Sequence, residues 1–280
     1  MAPFGRMKAR LALLALATLG AALFAATAGV RPAAAISHGS LDGDAHPAVV
    51  MLLLEVNGQP SERCSGVLLD STDVLTAGHC VGEPGEFSDI FVYTESSVDG
   101  GANHFPACPP SDYPNCIVAS HWAALPGFTE ADFSSHDVGM VKLSQPFVLP
   151  PGDYGTLPVA GALDGLDQKT TFTAVGYGAE TFSKVTSHIV APRVRQVAFP
   201  QLLQLNTGAS GPGDLIVSAN ANTGGTCFGD SGGPNFLPGS LTIAGVTSFG
   251  VSQTCGGVQG VFRLDKADVL AFVAGFRSGP

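Results

Sequence analysis

A chain of 280 residues that is 45% hydrophobic and only 13% charged, with 36 Gly and 20 Pro, has the makeup of a packed, turn-rich globular fold and excludes a disordered one. Its formal net charge of −10 falls to near −14 once the first 35 residues are set aside, which leaves nine Lys/Arg against 23 Asp/Glu. A surface of that sign favours solubility and repels nucleic-acid phosphates, and its acids are scattered without pointing to a partner.

At the start of the chain, Arg6, Lys8 and Arg10 precede an apolar run over residues 11–26, and Ala33-Ala34-Ala35 supplies small side chains for cleavage. This three-part layout reads as a secretory leader over residues 1–35. The alternative is an uncleaved anchor, since residues 11–30 approach the length that spans a bilayer. Beyond the leader, short apolar or alternating runs recur between turn residues, at 48–56, 65–69, 89–94, 138–143, 170–175, 194–199, 215–218, 241–248 and 260–264. Such spacing predicts an all-β fold. Residues 96–120 form an irregular Gly-, Pro- and Ser-rich segment, and a Pro/Gly-rich stretch from Gln145 to Pro158 divides the strands into two comparable groups. We read that stretch as a linker between two β-barrels, 36–150 and 151–280. Only the end looks helical: Asp265 is placed to cap a helix carrying Val269, Leu270, Phe272, Val273 and Phe276 at helical spacing.

Six cysteines (64, 80, 108, 116, 227 and 255) in an exported chain imply three disulfides, with fifteen pairings open. Neither C-x-x-C nor H-E-x-x-H occurs, so no zinc site is expected.

The strongest chemical signal is Gly229-Asp230-Ser231-Gly232-Gly233-Pro234. Glycines around a serine let the backbone turn tightly and bring N–H groups toward a carbonyl that becomes negative in a transition state. A bare G-x-S-x-G also matches the nucleophile elbow of α/β-hydrolases, but that fold places its histidine after the serine. Here the last histidine is His188, so the base must lie upstream. Among seven histidines, His79 in Leu75-Thr76-Ala77-Gly78-His79-Cys80 stands out, because small apolar neighbours and a cysteine would hold it rigid. Asp137, heading Val138-Gly139-Met140-Val141-Lys142-Leu143, is the candidate acid to orient it; Asp132 is the alternative.

The order His79, Asp137, Ser231 within T-A-G-H-C, D-V-G-M-V-K-L and G-D-S-G-G-P resembles the chymotrypsin/trypsin family of serine proteases, over nearly all of residues 36–275. Cys64-Ser65-Gly66-Val67-Leu68, Ala174-Val175-Gly176-Tyr177-Gly178, Ser248-Phe249-Gly250 and Gly260-Val261-Phe262 extend the resemblance. The chain departs from the family pattern at Gly78, where Ala is usual, at Phe249, where Trp is usual, and at its start, Ile36-Ser37-His38-Gly39.

The resemblance implies two perpendicular six-stranded antiparallel β-barrels with a C-terminal helix, and a secreted endopeptidase working in the cleft between them. It implies the pairs Cys64–Cys80 and Cys227–Cys255, which leaves Cys108–Cys116. It implies an oxyanion hole from the N–H groups of Gly229 and Ser231, and a primary pocket built from Gly225, Thr226, Phe228, Ser248, Phe249, Gly250 and Gly260. With Gly225 at its base, and no acid there, that pocket suits large apolar or aromatic side chains. The Cys255–Gly260 segment is a residue short, so the match at Gly260 can slip. The resemblance also implies that a free Ile36 amine pairs with Asp230. Because Ile36 directly follows Ala35, export itself would then create the active form. Protein or peptide substrates and proteinaceous inhibitors are the implied partners. No cofactor, metal, nucleic acid or membrane insertion is expected, and the expected form is a monomer.

Overall fold

The computed structural model describes residues 36–183, 188–205 and 213–279; the leader expected over residues 1–35 lies outside them. The first barrel begins with β2 (Val49–Val56), which follows a two-residue strand, β1 (Ser40–Leu41). β2 reads VVMLLLEV and is buried along seven of its eight positions, as a strand covered on both faces requires. It turns into β3 (Gln59–Leu68) through Asn57 and Gly58, at φ 53° and 70°, the two left-handed positions that a tight hairpin demands and that Asn-Gly supplies. Asp70 then accepts from the backbone N–H of Thr72 and Asp73 at 2.8 and 2.9 Å, turning the chain into β4 (Asp73–Thr76). With β5 (Asp89–Tyr93), β6 (Cys116–Ala124) and β7 (Gly139–Leu143), these strands close a six-stranded barrel in the order β2-β3-β4-β7-β6-β5.

The second half is a curled eight-stranded sheet. Its order is β1, β11 (Gln196–Ala198), β8 (Thr173–Gly176), β14 (Pro234–Phe236), β15 (Ile243–Gly250), β16 (Gly257–Arg263), β13 (Asp214–Ala219) and β12 (Leu202–Leu205). A separate pair, β9 (Thr181–Ser183) and β10 (His188–Val190), stands beside it. Among the described residues no strand ladder joins β8 to β12, so this sheet curls toward closure without a continuous seam. β8, β11, β12 and β14 are only three or four residues long. The curl brings Thr171 to Gln201 through a single isolated bridge, flanked by Phe172 N–H to Pro200 O at 2.9 Å.

The two halves exchange their ends. β1 belongs by sequence to the first half but pairs with β11 in the second sheet. The terminal helix α1 (Ala267–Ser278) buries Val269 and Val273 in the core that holds the first barrel, and its Arg277 pairs with Asp70 at 2.9 Å. Asp265 does not cap α1. Lys266 stands at the cap without a side-chain bond, and Asp265 is instead drawn to the Arg263 guanidinium and the Leu163 N–H, each within 2.8 Å.

The three disulfides are Cys64–Cys80, Cys108–Cys116 and Cys227–Cys255. Among the described residues no helix is long and apolar enough to cross a membrane.

Candidate active site

His79 sits on a single turn of 3-10 helix (Gly78–Cys80) directly after β4, where the Cys64–Cys80 bridge ties that turn back to β3. The departure at Gly78 has a local cause: a methyl group there would lie 2.6 Å from the Phe128 ring, which fills the space. Asp137 precedes β7 and is fully buried. Its Oδ1 accepts from the His79 backbone N–H at 2.9 Å, and both its oxygens lie 3.0 Å from His79 Nδ1. Ser248 Oγ donates to Asp137 Oδ2 at 2.5 Å. A carboxylate so placed fixes the proton on Nδ1 and leaves Nε2 as the lone-pair nitrogen. Burial pushes the His79 pKa down, but the charge and hydrogen bond of Asp137, with Glu130 and Glu62 further off, more than offset this and raise it. Asp132, the alternative acid, is exposed in a turn of its own, where Ser135 Oγ donates to it at 2.8 Å.

Ser231 lies on the loop between β13 and β14, half-exposed, and lines the same cavity of about 370 Å³ as His79. Backbone bonds pin this loop to both halves: Ser65 N–H to Ser231 O at 2.8 Å, Gly232 N–H to Thr247 O at 2.8 Å, and Thr247 N–H to Gly233 O at 2.9 Å. Gly232 takes φ 77°, and a side chain on it would collide with Thr76 Oγ1 and Ser65 O. The Phe228 carbonyl accepts from the Ala179 N–H at 2.8 Å. In a trans peptide the N–H opposes the C=O, so the Gly229 N–H faces the other way. Among the described residues neither the Gly229 nor the Ser231 N–H meets a protein acceptor.

Asp230 is completely buried beneath this loop, its two oxygens accepting from Gly178 N–H at 2.7 Å and Cys227 N–H at 2.8 Å. Burial pushes its carboxyl up to about 7, opposed by those two N–H groups and by the charge of Arg63. Ile36 is fully buried, and Ser37 O accepts from Gly225 N–H at 3.0 Å, so residues 36–37 dock against position 225. With residue 35 attached, Ile36 carries no amine, and among the described residues Asp230 makes no ion pair shorter than 4.0 Å.

Of the residues expected to line the pocket, Thr226, Phe228, Ser248, Phe249 and Gly250 do so, whereas Gly225 and Gly260 do not. A side chain on Gly260 would run into the Phe249 ring, so its bare backbone seats that ring. Glu130 and Gln259 also line the cavity and were not anticipated. Glu130 has no local sequence signal, whereas Gln259 directly precedes Gly260 in the G-V-F segment.

Residues 39–264 match the family model described as Trypsin. The chain is 25% identical over 252 residues to mannan-binding lectin serine protease 1 of Rattus norvegicus, covering 80% of this chain and 32% of that protein, so it spans about a third of that relative's length. It is 27% identical over 216 residues to chymotrypsin-like elastase family member 3B of Macaca mulatta, covering 75% of this chain and 79% of that one. Among solved structures, HL collagenase superposes with a TM-score of 0.67 at 19% identity, covering 88% of this chain and all of the other, a likeness of fold.

Proposed function

Because this chain belongs to the trypsin family of serine proteases, we propose that it is a secreted endopeptidase using Ser231 as nucleophile, His79 as base and Asp137 as orienting acid. One observation carries this reading: His79 Nδ1 lies 3.0 Å from both oxygens of a buried Asp137, and the ring shares a cavity with Ser231. His79 Nε2 takes the proton of Ser231 Oγ as that oxygen attacks the scissile carbonyl, and Asp137 stabilises the imidazolium that forms. The N–H groups of Gly229 and Ser231 receive the oxyanion. His79 then gives the proton to the leaving amine, and water, deprotonated by the same nitrogen, hydrolyses the acyl-enzyme.

The reading includes a leader over residues 1–35, halves at 36–150 and 151–280 arranged as two perpendicular six-stranded barrels, a monomeric form, and cleavage after large apolar or aromatic residues. It includes a pair between the amine of Ile36 and Asp230, formed when cleavage after Ala35 frees that amine. The test is stoichiometric labelling by an acylating reagent directed at active serines, located by peptide mapping. One acyl group per chain on Ser231, lost in Ser231→Ala, is expected. Labelling elsewhere, or none in a chain beginning at Ile36, defeats the proposal.

A further inference from the structure

We infer that Gln259 is the floor of the primary pocket and sets an upper length on the substrate side chain, selecting Leu and Met over Tyr and Trp. This rests on the protease reading above and narrows it. Gln259 lies on β16, directly across from Gly250 of β15. It is 3% exposed and lines the cavity that holds His79 and Ser231. Gly225, the expected base, is covered: a methyl group built on it would stand 3.2 Å from Gln259 Oε1 and 2.5 Å from Ala219 Cβ. A residue at position 225 would therefore project against Ala219, with the Gln259 carboxamide beside it, and the cavity is lined by Gln259 rather than by position 225.

The plug is also fixed. Gln259 Oε1 accepts from both the N–H and the Oγ1 of Thr226 at 2.7 Å, and its Nε2 donates to the Thr226 carbonyl. Thr226 is itself 4% exposed, so pushing the carboxamide aside would strand three buried polar groups of Thr226. An incoming side chain meets a wall that does not yield. The rest of the lining combines the apolar Phe249, Val251 and Cys227–Cys255 bridge with the polar Ser248, Ser252 and Gln253, and Phe228 and Val251 are exposed. An aliphatic chain of moderate length fills such a slot, whereas a phenol or indole must stop short of full burial.

The experiment is a ladder of peptides differing only in the residue on the acyl side of the scissile bond, running Ala, Leu, Met, Phe, Tyr and Trp. It is read as kcat/KM for the anilides and, separately, as Kd for the corresponding peptide carboxylates, which need no catalysis. Both should peak at Leu or Met, about tenfold or more above Tyr and Trp, the scale on which a pocket discriminates a few atoms. In Gln259→Ala the Tyr-to-Leu ratio should rise by about tenfold. A native ladder that peaks at Tyr or Trp overturns the inference, as does a folded Gln259→Ala whose ratio is unchanged. If that variant fails to fold, the native ladder decides. Carboxylates that bind in the expected order without any hydrolysis of the anilides would sink the protease reading and leave the pocket standing.

Discussion

Two buried aspartates face the two walls of the cleft, and they are held in opposite ways. Asp137, on the barrel wall, accepts from side chains, the His79 ring and the Ser248 hydroxyl, as well as from one backbone N–H. Asp230, beneath the serine loop, accepts among the described residues only from backbone, at Gly178 and Cys227. On one wall a carboxylate bonds a ring; on the other a carboxyl bonds the backbone of a loop. Removing the first charge should therefore affect a proton transfer, and disturbing the second should affect the geometry of N–H donors.

The largest effect should come from Asp137→Asn, which keeps the shape but allows the wrong imidazole tautomer. We expect kcat to fall by about 10⁴-fold, a figure carried over from well-studied triads of this same family rather than calculated from this geometry. Substitution of Asp132 should change kcat little, and the reverse ranking would show that the orienting acid is misassigned.

Next in size is the loop wall. A chain retaining one residue before Ile36 should lose about 10²- to 10³-fold in kcat, as when one oxyanion donor is withdrawn. The freed Ile36 amine, paired with Asp230, should titrate above its ordinary value of about 7.7–8.0. Its contribution is then complete below that ordinary value and is lost as pH rises through the raised one. In the extended chain Asp230 has no such partner. Its folded carboxyl, raised from 3.8 to about 7, binds a proton that the unfolded chain releases, so stability falls as pH rises across that interval. Melting temperatures of the two chains against pH should diverge between those values. Parallel curves and full activity in the extended chain would remove the amine from the mechanism.

The smallest effect tests how the histidine turn is packed. Gly78→Ala restores the residue usual in the family but places a methyl group against Phe128. We expect a loss of about 1–3 kcal/mol in denaturant unfolding. Shortening the ring in Phe128→Leu should recover most of it in the double variant. Additive losses would show that Phe128 is not the obstacle.

Residues whose role is local were legible in the sequence. The run at 48–56 became β2 because an unbroken apolar stretch has no other home than a strand buried on both faces. His79, Asp137 and Ser231 could be proposed from sequence because small residues, cysteine and glycine crowd them in short motifs, and the structure places His79 beside Asp137 and on one cavity with Ser231. Less legible was β6, which carries Ser120 and His121 at a register shift and so lacks clean alternation. β12 and β14 are too short to show a period. Asp265 has the right type and place for a cap, and only the fold reveals that Arg263 claims it. Gln259 escaped for the same reason: its meaning lies in Thr226, 33 positions away.

The exchange of ends makes the molecule a clasp. Each half holds a strap from the other, β1 on the second sheet and α1 on the first barrel. Next to β1, Arg195, 1% exposed, donates to Val49 O at 2.8 Å and pairs with Asp42, riveting the second half to β2. A cut through residues 145–158 would sever the covalent tether and leave both straps and the rivet in place. The two walls of the cleft are thus held by this interlock as well as by residues 145–158, where Gly155 N–H donates to Leu68 O and Thr156 N–H to Leu241 O, each at 2.9 Å.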